Sequence, residues 1–435
     1  MIPKPPHCRF EVAIIGLGYV GIPLALGFAE AGCRTLGFDL DAVRLRKLRA
    51  GLSPLPHVSS ERINAAMRTG CLEFTGEREM LAESEAIVIC VPTPLRIHLE
   101  PDLAHIRDAG EEVAPYLRKG MLVSLESSTY PGTTREDLRG ILESGSGLTA
   151  GSDFALAFSP EREDPGNARS VLMEMPKVVG GYTASCLERA VELYSRAVRT
   201  VVPVCNCETA EAVKLTENIF RFINIALVNE LKRIYTPMGI DVWDVIQAAS
   251  TKPFGYMPFF PGAGVGGHCI PIDPYYLTWK AREYGMETQF IDLAGQINRS
   301  MPGYVAARLS GALNARARPV RGCAILVLGL AYKPNVSDDR ESPSYAVMDL
   351  LQDQGAEVDY YDPMIPDIIP NGSHFRWVGR SSIAWDRELL AHYDAAVVCT
   401  AHRGVDYEEL ADCVPLIVDT CRVVPKNRQA AVIAA

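Results

Sequence analysis

The sequence predicts an α/β protein with one parallel sheet toward each end and a helical segment between them. Three observations lead there. Short β-branched runs alternate with longer helical patterns over the first 200 residues or so, the rhythm of a parallel sheet with helical crossovers. A helical run over 208–236, with no Gly or Pro inside it, follows. The α/β rhythm then returns at residue 323. A chain of 435 residues, 48% apolar and 22% charged, has room for two or three domains, each with its own core.

Taken in order, residues 11–15, 34–38, 86–90, 121–125 and 154–158 read as strands, and 20–31, 41–50 and 104–117 have helical periodicity. This first unit ends near residue 200. The run over 208–236 makes a helix roughly 40 Å long at 1.5 Å per residue. That is too long for a crossover in a small sheet, so a helical middle domain of about 100 residues is expected. Its apolar face is either a dimer surface or buried within the monomer. From 323, "CAILVLGLAYKP" is a buried strand and a Gly-containing loop. "SYAVMDLLQDQGAEVDYYDP" is a helix, a stop at Gly355 and a second strand, and "YDAAVVCTAH" and "PLIVDT" supply later strands. The expected division is 1–203, 204–312 and 313–435.

Composition narrows the partners. A formal net charge of −10 argues against nucleic acid or an anionic membrane, since either would be repelled over a broad surface. The twelve cysteines are scattered, with Cys90, Cys323 and Cys399 inside apolar runs, and read as small buried hydrophobes. The N-terminus has no apolar leader segment and no run reaches membrane-spanning length, so a reducing, cytosolic setting is expected. Eight histidines never adopt a metal-ligand spacing such as HxxxH, and no metal is expected.

"EVAIIGLGYVGIPLALGFAEAG" holds Gly16, Gly18 and Gly21 in GxGxxG spacing after a strand and before a helix. This is the fingerprint of a Rossmann dinucleotide-binding turn. Gly16 permits the tight turn, Gly18 lets a pyrophosphate approach the backbone, and Gly21 packs helix on strand. The helix N-terminus would face the phosphates. Asp39 ends the second strand, 18 residues after Gly21, where its carboxylate would accept from the ribose hydroxyls. A 2′-phosphate about 4 Å from it would cost ~1–4 kcal/mol at intermediate dielectric, so NAD is favoured over NADP.

"PGAGVGGHCIPIDPYYL" (261–277) is the most unusual stretch. A lone Cys is most often a buried core thiol, but a glycine loop and polar His268 do not describe a core. Pro271 suits a first helical turn, which would set Cys269 at a helix N-terminus, where a thiol is acidified. Asp273 would follow on the same face, able to hold a water or the reacting hydroxyl. The glycines at 262, 264, 266 and 267 would let backbone approach a ligand. His268, adjacent to the thiol in sequence, reads as structural or substrate-lining rather than as a base. On the long helix Lys214 and Asn218 are four apart and share a face; such a pair can donate to an oxyanion, although a helix Lys is usually a solvated one. Glu161 in "FSPERE" lies just past a strand end, where α/β sheets place ligand-contacting groups.

Together "IGLGYVG", "CVPTPL", "ESSTYPGTT", "FSPEREDPGN", "AEAVKLTENIFRFINIALVNEL", "GVGGHCIPIDP" and "GLAYKPNVSDDRESP" resemble the UDP-glucose / UDP-N-acetylhexosamine 6-dehydrogenase family over essentially the whole chain. The resemblance implies an N-terminal Rossmann NAD-binding domain, a central helical dimerisation domain and a C-terminal Rossmann-like UDP-sugar-binding domain. It also implies a role in making polysaccharide or glycoconjugate precursors. It makes Cys269 the nucleophile of a thiohemiacetal and then a thioester, Lys214 and Asn218 the oxyanion donors, Asp273 a carboxylate acting through water, and Glu161 the acid promoting thioester hydrolysis. Ser128 stands where the family usually has Thr, and supplies the hydroxyl without its methyl. For the cofactor it implies Gly16, Gly18, Tyr19, Val20, Gly21, Asp39, Arg44, Pro92, Thr93, Ser128 and Arg340. For the substrate it implies Glu161, Arg162, Lys214, Asn218, Phe260, Gly262, Gly264, Gly266 and His268, with Tyr332 and Lys333 toward the UDP phosphates. "VDTCR" has Cys421 where many members carry Arg, with Arg422 next to it, which puts an arginine–phosphate contact in doubt. His268 and Ile272, where UDP-glucose enzymes usually have Ser and Lys, tilt the substrate toward a UDP-N-acetylhexosamine of unspecified epimer. UDP-glucose is the alternative. A two-electron β-hydroxyacid dehydrogenase and a catalytically silent NAD- or UDP-sugar-binding regulator are the rivals from other classes.

Overall fold

The computed structural model describes residues 2–55, 57–96, 98–162, 174–370, 374–426 and 428–435. Residues 163–167 of the "FSPEREDPGN" motif lie outside the described residues. The chain divides into two compact units. The first comprises Met1–Glu217 with Tyr275–Met286, the second Asn218–Pro274 with Glu287–Ala435.

In the first unit β1 (Phe10–Ile15), β2 (Thr35–Phe38), β3 (Leu72–Thr75), β4 (Ser84–Ile89), β5 (Leu122–Leu125), β6 (Ala155–Phe158), β7 (Lys177–Gly181) and β8 (Val201–Val204) form one sheet. Its order is β3-β2-β1-β4-β5-β6-β7-β8. Both faces are covered, and the period-2 alternation of a strand sorts its side chains between them. Val12, Ile14 and Val88 join one apolar cluster, Ala13, Ile15, Ile87 and Ile89 the other. Neighbours in β1–β6 run parallel, while β7 runs antiparallel to β6. The chain leaves β1 for β2 on one side and returns to β4 on the other. The ends of β1 and β4 therefore flank a topological switch point, where open α/β sheets bind ligands.

The five strands expected here are present within two residues at each end, and the helices Gly21–Glu30, Ala42–Arg49 and Ala104–Val113 fall inside the expected segments. Strands β3, β7 and β8 were not foreseen, for physical reasons. β8 carries Pro203 and half-exposed residues, as edge strands do. β7 opens on a lysine and closes on two glycines, which read as turn. Those glycines are required by close approach: a Cβ at Gly180 would lie 2.1 Å from the Asn206 carbonyl oxygen, and one at Gly181 2.3 Å from the Leu187 nitrogen.

The long helix is Cys207–Tyr235, 29 residues, one residue displaced from expectation at each end. Gly239, left-handed at φ +73°, follows its closing turn. In the second unit the 26-residue helix Gln289–Asn314 is tied to it through Asn229, whose Nδ2 donates to Asn298 Oδ1 at 3.0 Å. The unit also holds a five-stranded parallel sheet of β9 (Ala324–Leu328), β10 (Glu357–Tyr361), β11 (Ala395–Val398), β12 (Leu416–Asp419) and β13 (Ala431–Ala434), ordered β10-β9-β11-β12-β13. Again Ile325 and Val327 pack on one face and Leu326 and Leu328 on the other.

Candidate active site

The glycine turn after β1 has three different reasons for its three glycines. Gly16 sits at φ +88°, and a Cβ there would lie 2.8 Å from the Cys90 carbonyl oxygen. At Gly21 a Cβ would lie 1.9 Å from the Gly16 carbonyl oxygen, so only glycine lets the helix pack against the turn. A Cβ at Gly18 would meet nothing within 4 Å. Space beside that backbone is what a diphosphate needs. Val20, at the N-cap, offers the helix no side-chain cap, which leaves anion binding as a way to serve its first N–H groups. Tyr19 stacks on His57 with ring centroids 5.2 Å apart.

Asp39, 7% exposed, follows β2. Its Oδ2 accepts from the Leu17 N–H at 2.7 Å and from Arg44 at 2.7 Å, and Oδ1 accepts from the Asp41 N–H at 2.8 Å. A carboxylate has about four acceptor sites, so Oδ1 keeps capacity for a ribose hydroxyl. Arg44, also expected at the cofactor, shares the carboxylate through Oδ2. After β4, Pro92 and Thr93 lie in the loop whose carbonyl at Thr93 accepts the Tyr276 hydroxyl at 2.9 Å. Ser127 donates to the Val91 carbonyl at 2.6 Å and sets half-buried Ser128 beside that loop.

Past the end of β6, Glu161 gathers several residues within the first unit. Lys214 Nζ donates to its backbone carbonyl at 2.6 Å. The Arg162 N–H donates to its Oε1 at 2.6 Å, and Lys177 Nζ lies 3.6 Å from its Oε2. Lys177 in turn donates to Glu126 at 2.6 Å. Burial pushes the Glu126 carboxyl up, and the two carboxylates push the Lys177 ammonium up despite its burial. Neither Lys177 nor Glu126 was anticipated. Their signal was a charged residue abutting an apolar strand at each position. Arg162, expected to face substrate, donates from its guanidinium to Glu217, at 2.5 and 3.3 Å, and to the Pro176 carbonyl at 2.7 Å.

In the second unit the loop 261–272 carries Cys269. The helix begins at Asp273, not at Pro271. With two prolines in the segment, Pro274 takes the first helical turn, and Pro271 falls in a preceding turn closed by the Ile272 and Asp273 N–H groups on the Cys269 carbonyl at 3.0 and 2.8 Å. Cys269 thus lies one hydrogen-bonded turn ahead of the helix. Asp273 is buried, and Asn218 Nδ2 donates to its Oδ2 at 2.5 Å. Asn218 and Asp273, expected as oxyanion donor and assisting carboxylate, are therefore in contact with each other.

The loop's glycines are explained by this chain's own packing. A Cβ at Gly264 would lie 2.9 Å from Pro343, one at Gly266 2.8 Å from the Glu341 carbonyl oxygen, and one at Gly267 2.8 Å from the Tyr332 ring. Of those four positions only Gly262 keeps open space, and its N–H donates to Asn229 Oδ1 at 3.0 Å. At Gly264, Gly266 and Gly267 this packing is a reason for glycine besides the expected approach of a ligand. The consequence is useful: the Cys269 loop is seated on Tyr332 and on the segment 340–343. Arg340, doubly bonded to Asp338 at 2.9 and 2.6 Å, donates to His268 Nδ1 at 3.1 Å. Lys333 is half-buried beside Tyr332. Phe260 stacks on Trp243 with centroids 4.9 Å apart and is half exposed. Arg422 pairs with Asp244 at 2.5 Å and with Asp241 at 3.4 Å. Cys421 is held up to about 12 by burial and donates to the Cys399 carbonyl at 3.3 Å.

None of the twelve cysteines is bridged by a disulfide, and Cys90, Cys323 and Cys399 are buried as expected. Among the described residues no cluster of His, Cys, Asp and Glu suits a metal ion, and no helix is long and apolar enough to cross a membrane.

Three domain families match in sequence. Residues 10–198 match the NAD binding domain of the UDP-glucose/GDP-mannose dehydrogenase family, 208–300 its central domain, and 326–426 its UDP binding domain. The chain is 38% identical to UDP-N-acetyl-D-glucosamine 6-dehydrogenase of Pseudomonas aeruginosa, over 82% of this chain and 83% of that one. It is 35% identical to the Salmonella typhi protein of the same name, over 90% of each. Among solved structures it resembles a UDP-D-ManNAc dehydrogenase from Pyrococcus horikoshii, with a TM-score of 0.88 and 32% identity, covering 97% of this chain and 98% of that one.

Proposed function

The chain belongs to the UDP-glucose/GDP-mannose dehydrogenase family, an NAD-dependent enzyme acting on a UDP-sugar, and from that premise we propose a four-electron oxidation at C6 of a UDP-N-acetylhexosamine through Cys269. The names of its relatives support the sugar class, and three of the similar proteins act on N-acetylated sugars by name. The observation that carries the mechanism is the Cys269 turn, with its glycine loop seated on Tyr332 and the buried Asp273–Asn218 pair four residues on.

The residues around Gly18 fit a dinucleotide: open space for the diphosphate, an uncapped helix start and a spare acceptor site on Asp39. Bound there, NAD⁺ supplies the hydride acceptor, two equivalents per sugar. A neutral aldehyde is a poor hydride donor. Its adduct with the Cys269 thiolate carries a hydroxyl whose deprotonation drives the second oxidation, and it prevents release of the aldehyde. Lys214 and Asn218 donate to the oxygen on which charge develops. Asp273, held by Asn218, fixes a water or the reacting hydroxyl. Glu161 takes the proton of the water that hydrolyses the thioester. In this reading 1–203 serves the cofactor, 204–312 assembly and 313–435 the UDP moiety. The unbridged cysteines suit the cytosol.

The test is the ratio of NADH formed to sugar consumed, across UDP-N-acetylglucosamine, its epimers and UDP-glucose. A ratio near two, with Cys269→Ala inactive yet still binding NAD⁺ and UDP-sugar, is expected. A ratio of one, or turnover without the thiol, excludes the thioester route. Fastest turnover of UDP-glucose reassigns the sugar, and binding without turnover of any sugar restores the regulator. The assembly is proposed to be a homodimer, because Phe220, Leu227 and Ile234 recur every seventh residue on the long helix and stand 49%, 49% and 43% exposed in one chain. A monomer by light scattering excludes that.

A further inference from the structure

The reversed strand in the first sheet has a chemical consequence. Strands β5 and β6 run parallel, and β7 runs antiparallel to β6. The carboxyl ends of β5 and β6 and the amino end of β7 therefore lie at one end of the sheet. Each contributes a charged residue there: Glu126 directly after β5, Glu161 after β6, and Lys177 as the first residue of β7.

The Lys177 side chain is 4% exposed, Glu126 0% and Glu161 13%. The ammonium has three protons to place. Its nitrogen lies 2.6 Å from Glu126 Oε2, 3.4 Å from the Pro160 carbonyl oxygen and 3.6 Å from Glu161 Oε2. Two of the three acceptors thus belong to Pro160 and Glu161. A staple between β5 and β7 would need only Glu126, and burying an ammonium is costly unless carboxylates compensate it. Glu161 is further fixed by the Arg162 N–H on Oε1 and by Lys214 on its carbonyl.

We propose that Lys177, backed by Glu126, is a positioning residue that aims the Glu161 carboxylate and keeps it available as a base for thioester hydrolysis. The proposal rests on the reading of Glu161 and Cys269 given above. In that step the water oxygen bonds to the acyl carbon, and one water proton passes to Glu161. The carbon–sulfur bond then breaks, its electron pair leaving on the Cys269 sulfur. No oxidation state changes. Lys177 touches neither water nor acyl group; it determines where the accepting oxygen points. Docking of Lys214 on the carbonyl of the same residue links the oxyanion lysine to the base it must work beside.

The experiment uses full-length protein, NAD⁺ and the UDP-N-acetylhexosamine it turns over fastest. Lys177→Met should lower kcat about 10²-fold, the scale of a misdirected general base. The value of kcat/KM for the sugar should stay within about threefold, because the steps before acylation are untouched. A burst of two NADH per Cys269 should precede the slow phase, and intact mass should reveal the acyl adduct. Lys177→Arg should recover at least about tenfold in kcat, since it restores the cation. Loss of the burst together with the slow phase, full kcat in Lys177→Met, or no recovery in Lys177→Arg overturns the proposal. If Lys177→Met does not fold, the charge-balanced pair Lys177→Met with Glu126→Gln decides on the same burst and mass criteria. Failure of the underlying reading looks different: the unmodified enzyme would give one NADH per sugar, or Cys269→Ala would remain active.

Discussion

The two sheets begin with closely similar turns that are put to different uses. After β1 the chain reads Gly16-Leu17-Gly18-Tyr19, and after β9 it reads Gly329-Leu330-Ala331-Tyr332. Both first glycines are left-handed, at φ +88° and +85°, and a Cβ on either would strike a carbonyl of the neighbouring strand's loop, Cys90 or Thr400. An aspartate directly follows the second strand of each sheet, β2 and β10. Asp39 accepts three hydrogen bonds, one of them from an arginine half open to solvent. Asp362 accepts five: from the Leu330 and Ala331 N–H groups at 2.6 and 2.8 Å, from Met364 and Ile365 at 2.7 and 3.2 Å, and from His402 Nε2 at 3.2 Å. The Asn335 N–H donates to His402 Nδ1 at 3.0 Å. One device therefore has two outcomes. With its acceptor sites filled from within, the aspartate is a clamp; with one left over, it can serve a ligand. The middle residue agrees, since Gly18 has open space where Ala331 is fully buried. Where the first turn has bare backbone, the second is followed by Tyr332 and Lys333, the pair expected to reach the UDP phosphates.

The largest effect that would break this comparison is on stability. Asp362→Ala leaves four backbone N–H groups and His402 without their acceptor in a buried setting, at a cost of about 3–5 kcal/mol. Asp39→Ala, nearer solvent and with fewer donors, should cost about 1–2 kcal/mol. Denaturant unfolding of both variants measures the difference. Equal losses would mean that Asp39 is as much a clamp as Asp362.

The units should also differ in how their buried acids respond to pH. Glu211, on the long helix within the first unit, is pushed up to about 7 by burial, against the pull of the Gly132 and Thr134 N–H groups and the Thr134 hydroxyl. Between pH 4.5 and 7 the folded chain then holds a proton that the unfolded chain has lost. The contribution is complete below about pH 4.5 and disappears as pH rises through 7, on the order of 3 kcal/mol in all. Asp362 has the opposite sign. His402 and the backbone donors outweigh burial and hold it below the usual range, so its contribution is present above about pH 4 and is lost on acidification. Glu211→Gln should flatten the fall in stability between pH 5 and 7.5. An unchanged slope in that variant would remove Glu211 as its source.

How much of this was legible in the sequence depended on whether a feature is local. The strands "EVAII" and "AILVL", the glycine turn and the long helix are written in consecutive residues, and each appears where expected. β3 is interrupted by Glu73, and β7 begins with Lys177 and closes on two glycines; such segments carry too little apolar pattern to separate from loop. The Cys269 stretch stood out in the sequence, but what its glycines pack against was not legible there. The groups they avoid, Tyr332 and Pro343, are far away in sequence. Lys177 was invisible for the same reason: its partner Glu126 is 51 residues away, and an isolated lysine in a sequence reads as solvated. The start of the helix at Asp273 was missed because two prolines competed for the first turn, and the nearer one to Cys269 was taken.

The smallest predicted effect is the sharpest test of Asp39 as the aspartate with a site to spare. If its Oδ1 accepts from a ribose hydroxyl, NAD⁺ should be preferred over NADP⁺ by at least about tenfold in kcat/KM, or roughly 1.4 kcal/mol. That margin sits toward the low end of what a bare carboxylate would give, because Arg44 lies 2.7 Å from Oδ2 and offsets part of the charge that repels a 2′-phosphate. Two substitutions should therefore move selectivity in opposite directions. Asp39→Ala removes both the acceptor and the repulsion while leaving Arg44 to attract the phosphate, so the preference should narrow. Arg44→Ala restores the full carboxylate charge, so the preference should widen by about two- to fivefold, the scale of a partly exposed ion pair. Initial rates with both cofactors at fixed UDP-sugar suffice. Equal use of NAD⁺ and NADP⁺ by the unmodified protein would remove Asp39 from ribose recognition. A preference that narrows in Arg44→Ala would mean that Arg44 contacts NAD⁺ itself rather than tempering its neighbour.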